Sequence, residues 1–264
     1  MELSTLNLPR TTEEQRLVQD NCIFLARVGS TMYGTNLANS DDDMVGVFIE
    51  DIDYVVGRKA VETVEFKTNA SSSGKRNQAG DKDYNFHSLD KWIGLALNNN
   101  PNILELFFTP KNCILHETEE WVKLRENKEL FISLKSFHSF SGYAHAQMHR
   151  LGVKSGNNTG RKDLIEKFGY DCKMASHNIR LYCECRQLLK EGQITMPLPD
   201  RQMVLQVKRG EWTKEDFIKK AEELGKQCET IYGESKLRYS PDFEAVSKLQ
   251  KEIFLNFWKR TGQL

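Results

Sequence analysis

The sequence contains no long run of apolar residues, and its N-terminal segment has neither the basic nor the apolar region of a signal peptide. A membrane-spanning helix needs about 20 predominantly apolar residues in a row. A secretory signal needs a short apolar segment behind a basic one. From these absences we expect no membrane association and a cytoplasmic location.

Net charge is also absent, because 37 lysine and arginine residues balance 37 aspartate and glutamate residues. A protein that attracts nucleic acid or an anionic membrane through its overall field carries excess positive charge. This composition creates no such field. Any anion site must therefore be local and built by a few residues.

The sequence also lacks CxxC cysteine pairs, internal repeats and low-complexity tracts. Six scattered cysteines predict free thiols in a reducing compartment rather than a structural zinc site or disulfides. The absence of a repeat argues against a solenoid. A length of 264 residues suffices for one large domain or two small ones.

Hydrophobic periodicity divides the chain into two parts. From about residue 22 to 92, short β-prone runs alternate with turn signals, and after that apolar residues recur at helical spacing. We therefore expect an α+β protein, with a small mixed β-sheet domain over 1–115 and an α-helical domain over 116–264 that completes the substrate cleft. Polar segments at 69–82 and 152–163 hold cations and are predicted loops, which either close over an anionic substrate or stay solvated.

A Gly-Ser pair, Gly29-Ser30, follows the first β-prone run and precedes a turn or short helix. Backbone N–H groups at the start of such a segment, together with the Ser30 hydroxyl, can bind the outer phosphates of a nucleotide. The pair is also common in ordinary strand-to-helix turns. By itself it leaves both interpretations open.

Three consecutive aspartates, Asp41, Asp42 and Asp43, lead into the next β-prone run. Side chains alternate between the two faces of a strand, so Asp41 and Asp43 should share a face while Asp42 points the other way. Two carboxylates on one face repel each other unless a cation lies between them, and Mg²⁺ prefers such oxygen ligands. An acidic turn that caps the strand is the alternative interpretation.

The order of these features resembles the DNA polymerase beta nucleotidyltransferase superfamily, in which a Gly-Ser pair precedes two acidic residues separated by one position. A closer resemblance is to its branch of predicted nucleotidyltransferases that includes an RNA-repair-pathway group. The matching segments are Gly29-Ser30, Tyr33-Gly34, Ser40 to Asp43, Gly46-Val47, Asn100 to Leu106, and Lys167 to Leu181.

This resemblance implies three catalytic carboxylates that bind two Mg²⁺ (or Mn²⁺) ions. Asp41 and Asp43 match the first two of these metal ligands. For the third we select Asp83, which begins a β-prone run just before the helix that leads to Asn100. Asp81, in the preceding glycine-containing loop, is the alternative.

The same resemblance suggests which residues bind the nucleotide. Those expected to do so are Gly29, Ser30, Tyr33, His87, Lys173 and His177. His87 shares a strand face with Asp83 and Asn85, and it either contacts a phosphate or a metal-bound water or is structural. Lys173, His177 and Arg180 share one helical face. Such a stripe either binds an anion or is solvated, and we take Asp171 as the only nearby acid that could pair with it.

Two further features leave several interpretations open. Glu105 lies among apolar residues, and a buried carboxylate needs a partner. Helix capping, pairing with an arginine and placement near the active site are all compatible with it. His138, His145 and His149 share a helical face, which suits a structural role, a polar cleft or, with less support, a metal.

The resemblance implies a metal-dependent nucleotidyltransferase that transfers a nucleoside monophosphate from an NTP, with ATP expected, to an acceptor hydroxyl. An RNA (tRNA) 3′ end is the leading acceptor. AMP transfer to a protein or small molecule is an alternative, and so is a non-catalytic nucleotide-binding regulator on the same fold. The paired carboxylates argue against the regulator.

Overall fold

The computed structural model describes residues 8–37, 40, 42–67, 82–153 and 162–264. Its strands are β1 (Cys22–Arg27), β2 (Asp42–Phe48), β3 (Thr63–Lys67), β4 (Lys82–Ser88) and β5 (Ile114–Glu117). Its α-helices are α1 (Glu13–Asn21), α2 (Ser30–Tyr33), α3 (Ile52–Val55), α4 (Leu89–Leu97), α5 (Pro101–Leu104), α6 (Glu119–Glu126), α7 (Lys135–Val153), α8 (Lys162–Phe168), α9 (Cys172–Glu191), α10 (Arg201–Lys208), α11 (Lys214–Glu234) and α12 (Phe243–Arg260). The predicted α+β class is confirmed. The two predicted polar loops, 69–82 and 152–163, lie mostly outside the described residues, because residues 68–81 and 154–161 are not described.

The chain forms two compact units that do not coincide with the predicted segments. The first unit comprises Met1–Leu97, Thr109–Phe131 and Asp242–Leu264, and the second comprises Asn98–Phe108 and Ile132–Pro241. The last helix, α12, returns to the sheet unit, where the Trp258 indole donates to the Glu50 carbonyl oxygen at 2.9 Å. Periodicity identifies a helix but not its packing partner, so the sequence did not predict this return.

The first unit is built on a five-stranded sheet in the order β3-β4-β2-β1-β5. Strands β2 and β4 are parallel, whereas the other neighbouring pairs are antiparallel. The sheet is therefore mixed, as predicted. No helix among the described residues is both long and apolar enough to cross a membrane.

One face of the sheet carries the core that packs against α1. The buried residues of this core are Leu17, Val18, Cys22, Leu25, Met44, Phe48, Val64, Phe66, Tyr84 and Phe86. On β2, β3 and β4 they occupy alternate positions, because successive side chains of a strand point to opposite faces. The residues between them, including Asp43 and Asp83, must lie on the other face.

That other face is covered on its β1 side and open on its β3 side. Phe24 of β1 stacks on Trp121 of α6, with ring centroids 3.9 Å apart. On β3, by contrast, Thr63, Glu65 and Lys67 are exposed. The sheet therefore keeps a polar, accessible surface at the strands that lie beyond β2.

Gly46 of β2 faces Phe86 of β4 across the parallel ladder. A Cβ atom at this position would lie 2.3 Å from two ring carbons of Phe86 and 3.0 Å from the Phe24 carbonyl oxygen. We expect Gly46→Ala to destabilise the protein by about 1–3 kcal/mol, because the packed core must shift. The measurement is the free energy of unfolding in urea.

Gly94 of α4 provides the control, since a Cβ there would meet nothing within 4 Å. Alanine restricts the unfolded chain more than glycine does and suits a helix. Gly94→Ala should therefore stabilise the protein by about 0.5–1 kcal/mol. Equal effects of the two substitutions would contradict the packing explanation for Gly46.

Candidate active site

Asp43 and Asp83 are direct neighbours on the parallel strands β2 and β4. Paired residues share a face, and neighbouring strands lie about 4.8 Å apart. The fold thus brings together two carboxylates that are 40 residues apart in sequence. Asp41, the other predicted ligand, and Asp81, the alternative third acid, lie outside the described residues.

Asp42 lies on the opposite face from Asp43, as the strand period predicts. It pairs with the side chain of Arg27, with 3.8 Å between Arg27 Nε and Asp42 Oδ1. Burial raises the pKa of the nearby Tyr84, and the charge of Asp42 adds to this rise. Asp42 and Asp43 therefore have different surroundings, and of these two residues it is Asp43 that faces Asp83.

Gly29 places the backbone of the Gly-Ser turn against Asp43. It precedes α2 with φ of 66° and ψ of −142°, a conformation that L side chains rarely adopt. A Cβ on Gly29 would lie 3.1 Å from Asp43 Oδ2. The Val28 amide also donates to the Asp43 carbonyl oxygen at 2.9 Å. Glycine is thus required both for the turn and for its close approach to the carboxylate.

The short helix α2 begins at Ser30. The Tyr33 amide donates to the Gly29 carbonyl oxygen at 3.1 Å, and the Thr35 amide donates to the Ser30 carbonyl oxygen at 2.8 Å. The first amides of a helix have no acceptor within it and can serve a ligand. Gly29 and Ser30 therefore lie at the end of α2 whose amides can serve a ligand. Tyr33, which was also predicted to bind the nucleotide, is buried.

Gly29→Ala should lower the free energy of unfolding moderately and the rate of the reaction strongly. We expect a cost of about 1–3 kcal/mol in unfolding free energy from backbone strain. We also expect the nucleotide transfer that the sequence resemblance implies to fall by up to about a hundredfold, because small displacements of catalytic groups have such effects. Urea unfolding and transfer rates measure the two effects. With Gly94→Ala as control, a Gly29→Ala protein of full activity would contradict the predicted role of the turn.

His87 lies four residues after Asp83 on β4 and on the same face of the sheet. It pairs with Val47 of β2 and Thr63 of β3. Its Nδ1 is 3.4 Å from Thr63 Oγ1. Burial lowers the pKa of His87, and the nearby charge of Lys91 lowers it further. The ring is therefore favoured in its neutral form, in which one nitrogen donates and the other accepts a hydrogen bond.

Lys173 and His177 belong to α9, in the second unit. Lys173 is exposed and His177 is half-buried. His177 Nε2 lies 2.7 Å from Arg180 Nη2, and His177 Nδ1 lies 3.3 Å from the Gln147 amide. Because a guanidinium only donates, Nε2 must accept and the ring proton belongs on Nδ1. The Gln147 atom at this distance is Nε2, whereas its Oε1 is buried without a partner among the described residues. Exchanging the amide oxygen and nitrogen would let Gln147 accept this proton.

Arg180 itself lies in a buried ionic cluster. Its Nη1 donates to Glu105 Oε2 and to Glu184 Oε1, both at 2.8 Å. Glu105 is thus paired with an arginine, which was one of its three interpretations. Glu184 was missed among the candidate residues, although its i+4 spacing from Arg180 is that of a helical ion pair. Asp171 instead caps α9, accepting from the Met174 amide at 2.9 Å.

One guanidinium in this cluster faces two carboxylates that are almost fully buried. Burial raises the pKa of Glu184 to about 8, with Arg180 opposing the rise and the charge of Glu105 adding to it. A proton on Glu184 leaves the cluster without excess negative charge. The cluster supports the structure of the second unit.

Asp43 and Asp83 are the described residues that could hold a divalent cation at this sheet face, because they are paired across β2 and β4 and carboxylate oxygens are ligands that Mg²⁺ accepts. Within the described ranges, no group of three or more His, Cys, Asp or Glu side chains is arranged to hold a metal.

The predicted histidine stripe has different surroundings along its length. His138 lies beside Tyr232, with 3.5 Å between the ring nitrogen and the hydroxyl, while His145 and His149 are exposed. The six cysteines are buried thiols.

The mixed sheet, the neighbouring carboxylates on β2 and β4 and the Gly-Ser turn against one of them are the arrangement that the resemblance to polymerase beta-like nucleotidyltransferases implies. Residues 5–220 match the RNA repair pathway DNA polymerase beta family, called RlaP. The chain belongs to this family, and the predicted resemblance is confirmed.

Two individual proteins also resemble this chain. An uncharacterized 38.9 kDa protein in the nrdC-mobD intergenic region of Enterobacteria phage T4 is 25% identical over 140 residues. That match covers 52% of this chain, which spans only 41% of the phage protein. A nucleotidyltransferase-like protein from Exiguobacterium sibiricum is 11% identical, with a TM-score of 0.29 over 85% of this chain and 73% of its own.

Proposed function

We propose that this protein is a metal-dependent nucleotidyltransferase that transfers a nucleoside monophosphate from an NTP, with ATP expected, to a hydroxyl at an RNA 3′ end. The observation that carries the proposal is the pairing of Asp43 with Asp83 on one sheet face, beside the Gly29 backbone. In a chain of the RNA repair pathway polymerase beta family, this arrangement supports nucleotidyl transfer over simple nucleotide binding.

Asp43 and Asp83, together with Asp41, would hold two Mg²⁺ or Mn²⁺ ions. When bound, such ions neutralise phosphate charge and lower the pKa of an attacking hydroxyl. The residues of the chain have separate tasks. Asp83 accepts the proton of the acceptor hydroxyl, and the amides after Gly29, with the Ser30 hydroxyl, bind the departing pyrophosphate. The roles of Lys173 and His177 stay predictions.

The RNA acceptor rests on the description of the family. The experiment incubates the protein with each α-labelled NTP and Mg²⁺ or Mn²⁺, in the presence of tRNA, mixed protein or the enzyme alone. We expect label on RNA together with release of pyrophosphate. Label on polypeptide or on a small molecule would replace the RNA acceptor, and tight NTP binding without turnover would indicate the regulator.

A further inference from the structure

We propose that the open polar strip of β3 and β4, formed by Asn85, His87 and Thr63, binds the ribose hydroxyls of an RNA acceptor. This inference rests on the proposed function and deepens it, because it identifies a subsite for the second substrate. Asn85 is its central residue, two positions beyond Asp83 on the same face of β4.

The strand order places this strip on the acceptor side of the site. In the order β3-β4-β2-β1, Asp43 of β2 lies between Asp83 on one side and the Gly29 turn, after β1, on the other. Phosphoryl transfer needs the attacking oxygen and the leaving group on opposite sides of the phosphorus. If pyrophosphate leaves toward Gly29, the acceptor must approach from β4 and β3.

The strip is accessible and continuous with the carboxylates. Asn85 pairs with Glu65 and His87 pairs with Thr63 across the β3–β4 ladder, so their side chains share the face of Asp83. The side chains of Asn85 and His87 are half-buried, and Thr63 and Glu65 are exposed. Successive same-face positions on a strand are about 6.7 Å apart. The side chains of the strip can therefore contact successive groups of a short extended ligand.

Asn85 has hydrogen-bonding capacity that the fold does not use. Its Oδ1 is buried and has no hydrogen-bond partner in the part of the chain that the structure describes. Buried polar atoms nearly always have a partner, so an exception calls for an explanation. The side chain as a whole is only half-buried, so its amide can meet a ligand hydroxyl, to which a carboxamide can donate or from which it can accept a hydrogen bond.

The chemistry of the strip suits hydroxyls better than phosphates. Asn85 and Thr63 are uncharged, and burial favours the neutral form of His87. The cations beside them are balanced, since Lys67 lies 3.7 Å from Glu65 and Lys91 lies 2.7 Å from Glu62. A ribose, with adjacent hydroxyls that donate and accept, matches these groups.

The test compares binding of a labelled oligoribonucleotide and its DNA counterpart to the wild-type protein and to Asn85→Leu. Loss of the amide should weaken RNA binding about tenfold. It should leave DNA binding and the KM for NTP unchanged within about twofold. Asn112→Leu, at an exposed position of the 3-10 helix Lys111–Cys113, is the matched control. Thr63→Val, an exposed near-isosteric change, should also weaken RNA binding and covers the case in which Asn85→Leu does not fold.

The two proposals fail in different ways. RNA binding that depends on Asn85, without nucleotide transfer to any acceptor, would contradict the proposed function while upholding the subsite. Transfer to RNA with unchanged affinity in folded Asn85→Leu and in Thr63→Val would overturn the subsite alone. Equal losses of affinity for RNA and for DNA would also overturn the subsite, because binding would then not depend on the ribose hydroxyls that DNA lacks.

Discussion

Replacing Asp43 with asparagine should reduce nucleotide transfer at least about a hundredfold, a loss typical for a group that stabilises transition-state charge. Asparagine keeps the shape of the side chain and removes the negative charge that faces Asp83. It leaves the β2–β4 ladder and the amide of Val28 undisturbed, since these involve only the backbone. The measurement is the rate of label transfer from an α-labelled NTP, with unfolding followed in parallel.

Asp42→Asn is the matched control, because the same change is made one residue away on the opposite face of the sheet. Asp42 contacts Arg27 across 3.8 Å, and both side chains are more than one-third exposed. Such pairs contribute about 1 kcal/mol or less. We expect transfer within about threefold of the wild-type rate. Similar activities for the two variants would remove the basis for assigning Asp43 to the site.

Replacing Arg180 with methionine should destabilise the protein by about 3–5 kcal/mol. Breaking a buried ion pair has this effect because it leaves an uncompensated charge, and here both Glu105 and Glu184 lose their cation. Methionine retains much of the side-chain volume. The loss should appear as a lower midpoint of urea unfolding.

The effect of Arg180→Met should grow with pH. Between the ordinary carboxyl pKa of 4.5 and the raised value of about 8, native Glu184 holds a proton that the unfolded chain has released. Native stability therefore falls as pH rises through this window. Without Arg180 the pKa of Glu184 rises further, so only the wild-type protein regains charge on Glu184 as pH passes about 8. The destabilisation by Arg180→Met should therefore be larger above about pH 8 than at about pH 5.

Arg186→Met tests whether burial causes this loss. Arg186 lies on the same helix and donates to Asp200 Oδ2 at 2.7 Å, but its side chain is 30% exposed. A partly solvated pair contributes about 1 kcal/mol or less. Comparable losses for the two arginines, or a loss at Arg180 that does not change with pH, would contradict the role of the buried cluster.

Local patterns in the sequence determined much of this protein. The strand period separated Asp42 from Asp43 correctly, because alternation depends only on neighbouring backbone units. The ordered motifs around Gly29, Asp43 and Asn100 identified the family and with it the mixed sheet. The i, i+4 spacing of Arg180 and Glu184 is a local signal of the same kind, because it indicates their ion pair without any tertiary contact.

Only the tertiary structure decided which distant residues meet. The pairing of Asp43 with Asp83, the use of Gly46 to accommodate Phe86, and the return of α12 to the sheet unit all depend on contacts between remote segments. The partner of Glu105 became evident in the same way, 75 residues away in Arg180. The local sequence pattern predicts whether a residue is buried and on which face of its strand or helix it lies. Strand order and helix packing, by contrast, arise from the combined burial of many segments.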